Sequence, residues 1–214
     1  MVLLDDRPIR TPAKAEFVVP TRALAAAIGE EWDAQGPKID PTNMPMLQLA
    51  NTAIDRVTPY PGRVVTETVA YAETDLTCHW APEPPELIER QRRHWQPLLD
   101  WLAFSCDAPL QPVTGVVPAR QPPDAVEALR RLVCGLDPFR LTGLHYLTTV
   151  TGSLVIALGV FRGRLDPDGA WAAVQLDENF QIERWGEDPL AAERRQGQRA
   201  EFEAATRFLG LLGP

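Results

Sequence analysis

The sequence predicts an α+β protein: a small N-terminal α+β domain over residues 1–60, then a larger all-α helical C-terminal domain over 61–214. Three observations predict it. Short strand-type pieces punctuated by proline fill the first twenty residues. From Asp40 onward, apolar residues recur at the three- and four-residue spacing of a helix. Proline-rich breaks, "PYPG" at Pro59 to Gly62 foremost, separate one helical pattern from the next and place the domain border.

Taken in order, "VLLDD" and "RPIRTP" read as strands around a turn at Asp5-Asp6, and "EFVVP" as a third strand. The first strand begins almost at Met1, so an upstream pairing strand is expected to be missing from this chain. Thr21 has the residue type of a helix cap, and Leu24, Ile28 and Trp32 follow on one face until Gly36-Pro37 ends the helix. "MPMLQLANTAIDRV" puts Met46, Ala50, Ala53, Ile54 and Val57 on one side. Val65, Val69, Ala72 and Leu76 mark the next helix. "APEPPE" is a loop, and a helix from Pro85 carries Leu87, Gln91, Trp95, Leu98 and Leu102. Pro97 should kink that helix or divide it in two. The stretch "DAPLQPVTGVVPARQPP" is extended and has room for one strand. Helices are predicted over 123–135, 138–150, 152–162, 167–186 and 188–210, with Phe202 and Phe208 facing the bundle.

Charge and composition exclude several functions. A net charge of −8 over 214 residues, with Lys14 and Lys38 the sole lysines, argues against nucleic-acid binding. The longest apolar run, Leu154 to Phe161, is far below the ~20 residues that cross a bilayer, so no membrane insertion is expected. The start, "MVLLDDRPIR", lacks the basic and then apolar pattern of a signal peptide. Cys78, Cys106 and Cys134 lie far apart without a Cys-x-x-Cys pair and read as reduced, buried thiols. No P-loop surrounds either lysine. His79, His94 and His145 have no metal-ligand spacing. Ser105 and Ser153 lack a nucleophile elbow; "TGSLV" reads as a helix cap through Thr151 or Ser153. No cofactor or metal is expected.

One stretch stands apart: "LDENFQIERWGED", Leu176 to Asp188, with five acids, an arginine and a tryptophan. Wound with its upstream residues as one helix, it puts Leu176, Phe180 and Ala173 on one apolar side. Trp171, Val174, Ile182 and Trp185 fall on another. Asp177, Gln181 and Arg184 then share a narrow polar stripe between the two. Such a stripe either closes on itself, through an Asp177–Arg184 salt bridge aided by Gln181, or is covered by a partner. A hydrolase using the acidic pair Asp177 and Glu178 is the alternative from another class. Its weakness is that adjacent helical residues point about 100° apart.

The stretches "EEWDAQG", "MPMLQLANTAID" and "LDENFQIERWGED", with "VAYAETDLTCHWA", "RQRRHWQPLLDW" and the opening "VLLDDRPIRTP", resemble the ATP synthase assembly chaperones of the ATP-twelve family. The resemblance runs from Val2 to about Leu209. Members of that family usually carry a further N-terminal strand-forming segment. The resemblance implies a non-enzymatic chaperone that binds the free α subunit of the F-type ATP synthase catalytic head. There it shields the β-contacting surface until α and β assemble. It implies a bacterial cytoplasm, or the mitochondrial matrix in a eukaryote, and a monomer is expected.

An acid early in the "LDENFQIERWG" helix is functionally important in the family. The matching position is Asp177, where members often have Glu; Glu178 is next. The expected partner-binding set is therefore Asp177, Glu178, Gln181, Arg184, Trp185 and Phe180. Trp32, Asn51 and Asp55 match family positions and read as structural: Trp32 as core, Asn51 as a tie between loops and helices. Asp33 and Glu31 read as a solvated face. Trp80, Trp95 and Trp101 read as packing.

Overall fold

This computed structural model describes residues 3, 4, 7–115 and 120–213. Ten α-helices account for most of them: α1 (Arg22–Asp33), α2 (Pro45–Thr52), α3 (Pro61–Ala70), α4 (Pro85–Cys106), α5 (Pro123–Cys134), α6 (Pro138–Thr151), α7 (Leu154–Phe161), α8 (Pro167–Val174), α9 (Leu176–Trp185) and α10 (Pro189–Leu211). Among the described residues, four short turns of 3₁₀- or π-helix fill links between them. Strands among the described residues are two residues long: β1 (Leu3–Leu4) pairs antiparallel with β2 (Arg7–Pro8), and β3 (His79–Trp80) parallel with β4 (Val113–Thr114). The turn at Asp5-Asp6 lies outside the described residues. "EFVVP" does not form the expected strand. Its single ladder contact is Glu16 with Arg10, and Phe17 is drawn into the core instead.

Prolines start most of these helices. Seven of the ten carry Pro in the first turn, where the missing N–H costs no intrahelical bond. They are Pro45, Pro61, Pro85, Pro123, Pro138, Pro167 and Pro189; α1, α7 and α9 start differently. Thr21 caps α1 as expected, its hydroxyl oxygen accepting from the Leu24 N–H. The same hydroxyl donates to the Leu211 carbonyl at the far end of the chain. Ser153 caps α7.

The core is one cluster. α6 packs against α3, α7, α10 and the π turn at Ala53–Val57, while α1 rests on α2 and α10. Buried side chains from Phe17 to Leu212 join it, on both sides of the expected 60/61 border. Leu24, Ile28, Met46, Ala50, Val65, Val69, Leu87, Gln91, Trp95, Leu98 and Leu102 are all buried, as their helical spacing predicts. Gly143 lets α6 approach α10: a Cβ there would meet Leu209 Cδ2 at 2.6 Å.

Four expectations need correction. Pro97 does not divide α4, which runs unbroken for 22 residues. The helix expected over 167–186 is two helices meeting at Gln175, the C-cap of α8 and N-cap of α9. Only Cys78 of the three free thiols is buried; Cys106 is half-buried and Cys134 exposed. Burial pushes the Cys78 thiol up to about 12. Glu31 is not a solvated acid. It is buried, and its two carboxylate oxygens accept the Met46 and Leu47 N–H groups at 2.7 and 2.9 Å, capping α2 from a distance.

Candidate functional site

The break at Gln175 sets the geometry of the region. It starts α9 at Leu176, so Asp177 and Glu178 fall in the first turn, where the N-terminal dipole favours acids. α9 then lies against α4. Asp177 is half-buried and accepts a 2.8 Å hydrogen bond from Gln91 Nε2. Gln91 is fully buried, and its Oε1 accepts the Ala81 N–H at 2.8 Å. Gln91 thus ties a loop, α4 and α9 together. Burial raises the Asp177 carboxyl above its ordinary range; the Gln91 bond pulls the other way and does not cancel it.

The expected Asp177–Arg184 salt bridge does not form. Seven residues along a helix are about 10 Å apart, too far for a short aspartate. Arg184 turns instead to α4, 3.5 Å from Glu86, with its guanidinium 4.6 Å from the centre of the Phe180 ring. Arg90 covers the same ring at 5.2 Å and forms a two-pronged pair with Glu183 at 2.8 and 2.7 Å. Phe180 is therefore buried between two arginines and glues α9 to α4. Gln181 is exposed and has no side-chain partner among the described residues. Trp185 is 75 % exposed at the end of α9, and Leu190 is exposed at the start of α10. The described structure thus separates the six candidates. Phe180 and Arg184 brace the helix, while Asp177, Glu178, Gln181 and Trp185 keep surface to offer.

Asp177 and Glu178 also line an open groove of about 270 Å³ between the α8–α9 corner and α10. Gln175 lies in its wall, and Arg194 and Arg195 line it from α10. The helical pattern puts Gln175 on a solvated polar arc with Asn179 and Glu183, and Arg194 on the solvated face of the last helix; Arg194 is exposed, but Gln175 is buried because α8 ends there and turns it inward. Gln91 falls on the core face of α4 by spacing, without its partner Asp177 being legible. The one signal for Gln91 was its polar identity on an otherwise apolar helical face.

The three family positions lie elsewhere. Trp32 is half-buried against the core, Asn51 is half-buried on α2, and Asp55 sits in the π turn, accepting the Ala13 N–H at 3.0 Å. Each carries a buried polar atom without a hydrogen-bond partner among the described residues: Trp32 Nε1, Asn51 Oδ1 and Asp55 Oδ1. Asp55 lines a second, larger groove of about 520 Å³ between α2, α3 and α6.

A buried acid that the sequence did not reveal is Asp75. It is fully buried in the link between α3 and α4. Its carboxylate accepts from Ser153 Oγ (2.7 Å), Val155 N (3.0 Å), Thr77 N (3.0 Å) and Thr77 Oγ1 (2.8 Å), closing the start of α7. Burial raises its pKa against the pull of those four bonds.

Comparison with known proteins agrees along the chain. Residues 1–103 match the family model described as ATP12 chaperone protein. The crystal structure of Atp12 from Paracoccus denitrificans is 44 % identical, with a TM-score of 0.93, over 98 % of this chain and 90 % of that one. An aspartate-to-lysine mutant of the P. denitrificans protein superposes with the same TM-score at 43 % identity, over 98 % of this chain and 90 % of that one. The mitochondrial protein atp12 of Schizosaccharomyces pombe is 23 % identical over 199 residues, 87 % of this chain and 68 % of its own length.

Proposed function

The chain belongs to the ATP12 chaperone family, and on that premise we propose that it serves ATP synthase assembly by holding the free α subunit and shielding the surface that later meets β. It is a chaperone and not an enzyme, so the hydrolase reading of Asp177 and Glu178 falls. Their geometry argues the same way. The two acids are neighbours in one helical turn and line an open groove faced by arginines, with no carboxylate across it among the described residues.

The observation that supports docking at α9 is the pairing of a half-buried, singly partnered Asp177 with an exposed indole on the same helix. A charge already partly dried and only partly satisfied gains from a basic or amide group on a partner. The Trp185 side chain supplies apolar area beside it. Among the described residues no helix is long and apolar enough to cross a membrane.

The test is light scattering of the isolated cognate α subunit without β. Wild-type protein should suppress its aggregation, and a folded Asp177→Lys variant should not. Truncating one member of a desolvated charge pair costs about 2–5 kcal/mol of binding. Equal suppression by both proteins would make Asp177 structural. No suppression by either would remove α as the client.

A further inference from the structure

Asp177 is held by a side chain whose own orientation is forced. Gln91 lies on the core face of α4 and has no exposed surface. The Ala81 N–H can only donate, so Gln91 must meet it with Oε1, at 2.8 Å. That leaves Nε2 for Asp177, whose Oδ1 accepts it at 2.8 Å. The two carboxylate oxygens of Asp177 are therefore unlike. Oδ1 is turned inward and occupied. Oδ2 takes no hydrogen bond from the described residues, yet it is not sealed in as Gln175 Oε1 is. It keeps accessible surface on a residue that lines the groove.

We propose that Gln91 is the positioning residue of the docking site: by requiring an oxygen at the inward atom of residue 177, it fixes what the outward atom offers the client. With aspartate the outward atom is a charged acceptor, so the client group that meets it must donate, as a basic side chain does. This rests on the reading of α9 as the docking surface. It has a consequence that a purely structural tie lacks. In Asp177→Asn the new amide has a single oxygen, and Gln91 Nε2 claims it. The NH2 group is forced outward, where it opposes the client's donor. The substitution thus reverses the polarity of the docking atom. Exchanging the pair, Gln91→Glu together with Asp177→Asn, turns it round again. One oxygen of the new carboxylate accepts the Ala81 N–H and the other accepts the new NH2 group. An amide oxygen then faces outward, and the charge of the pair is conserved.

The experiment measures binding of the isolated α subunit to wild type, Asp177→Asn and the double variant, with urea denaturation of each to establish folding. Asp177→Asn should bind about tenfold more weakly, the loss of one charge-assisted hydrogen bond. The double variant should bind about fivefold more tightly than Asp177→Asn, the return of one neutral hydrogen bond. A tie that only stabilises the fold gives no such recovery. Where the double variant does not fold, NMR of Asp177→Asn decides through the exchange of its new NH2 hydrogens. Fast exchange with water supports an inward oxygen, and protection like that of a buried amide overturns it. If Asp177→Asn binds weakly and a folded double variant binds no better, α9 stands as the docking surface and the role of Gln91 falls. If Asp177→Asn binds as wild type does, the docking reading falls and this inference with it.

Discussion

Asp75 and Asp177 are two aspartates at helix starts, both dried enough that burial raises their pKa. They differ in how fully they are satisfied. Asp75 is sealed in the core and takes four hydrogen bonds, two of them from residues 78 and 80 positions away. Asp177 borders a groove and takes one, and the Gln175 carboxamide oxygen two residues before it has no partner among the described residues. A buried acid saturated by its own chain has finished its work when folding ends. One left short at an open surface retains capacity for a partner. The difference separates a structural acid from a candidate docking acid where residue type cannot.

The comparison breaks most directly at Asp75. Replacing it with Ala strands the Ser153 hydroxyl and the Val155 N–H in the core and should cost about 3–5 kcal/mol. Urea denaturation would show this, and a loss under about 1 kcal/mol would refute the structural reading. Glu31→Ala removes a remote cap with two short bonds and should cost about 2 kcal/mol by the same measurement. Asp177→Asn retains an oxygen for Gln91 and should unfold within about 1 kcal/mol of wild type. Its capture of the α subunit should nonetheless weaken. Parallel losses in stability and capture would erase the distinction from Asp75.

The smallest effect concerns pH. Burial lowers the pKa of His145 from its ordinary 6.5, with Glu67 opposing. The folded chain thus resists a proton that the unfolded chain accepts. Stability from this source is complete above about 6.5 and declines as pH falls through the folded value. Unfolding of wild type and His145→Gln at pH 7.5 and 5.5 should show a shallower acid loss in the variant. Asp75 and Glu31 work in the other sense. Their raised pKa values give stability that is present below 3.8 and 4.5 and lost as pH rises through the folded values.

Much of the helical layout was legible because burial repeats with the helical period. Leu24 and Ile28 on α1, and Leu87, Gln91, Trp95, Leu98 and Leu102 on α4, all reach the core as their spacing requires. Local chemistry was legible too: the caps at Thr21 and Ser153 are made by residues three positions from their targets. The break at Gln175 was not, since no Gly or Pro marks it and the apolar pattern continues across it. Nor was the fate of Glu31, a charged residue in a charged run whose partners lie 15 and 16 residues on.

By itself the sequence determined the helices and their apolar faces, and through "EEWDAQG", "MPMLQLANTAID" and "LDENFQIERWGED" the family to which the chain belongs. Those properties come from neighbours within a few residues, or from residue order, and both are written along the chain. Only the tertiary structure decided which acid is saturated by its own chain and which is left with a single partner. Asp177 meets Gln91 from 86 positions away, and Arg184 leaves Asp177 for Glu86. Charge pairing is settled by distance and desolvation in three dimensions, and neither is set by separation along the sequence.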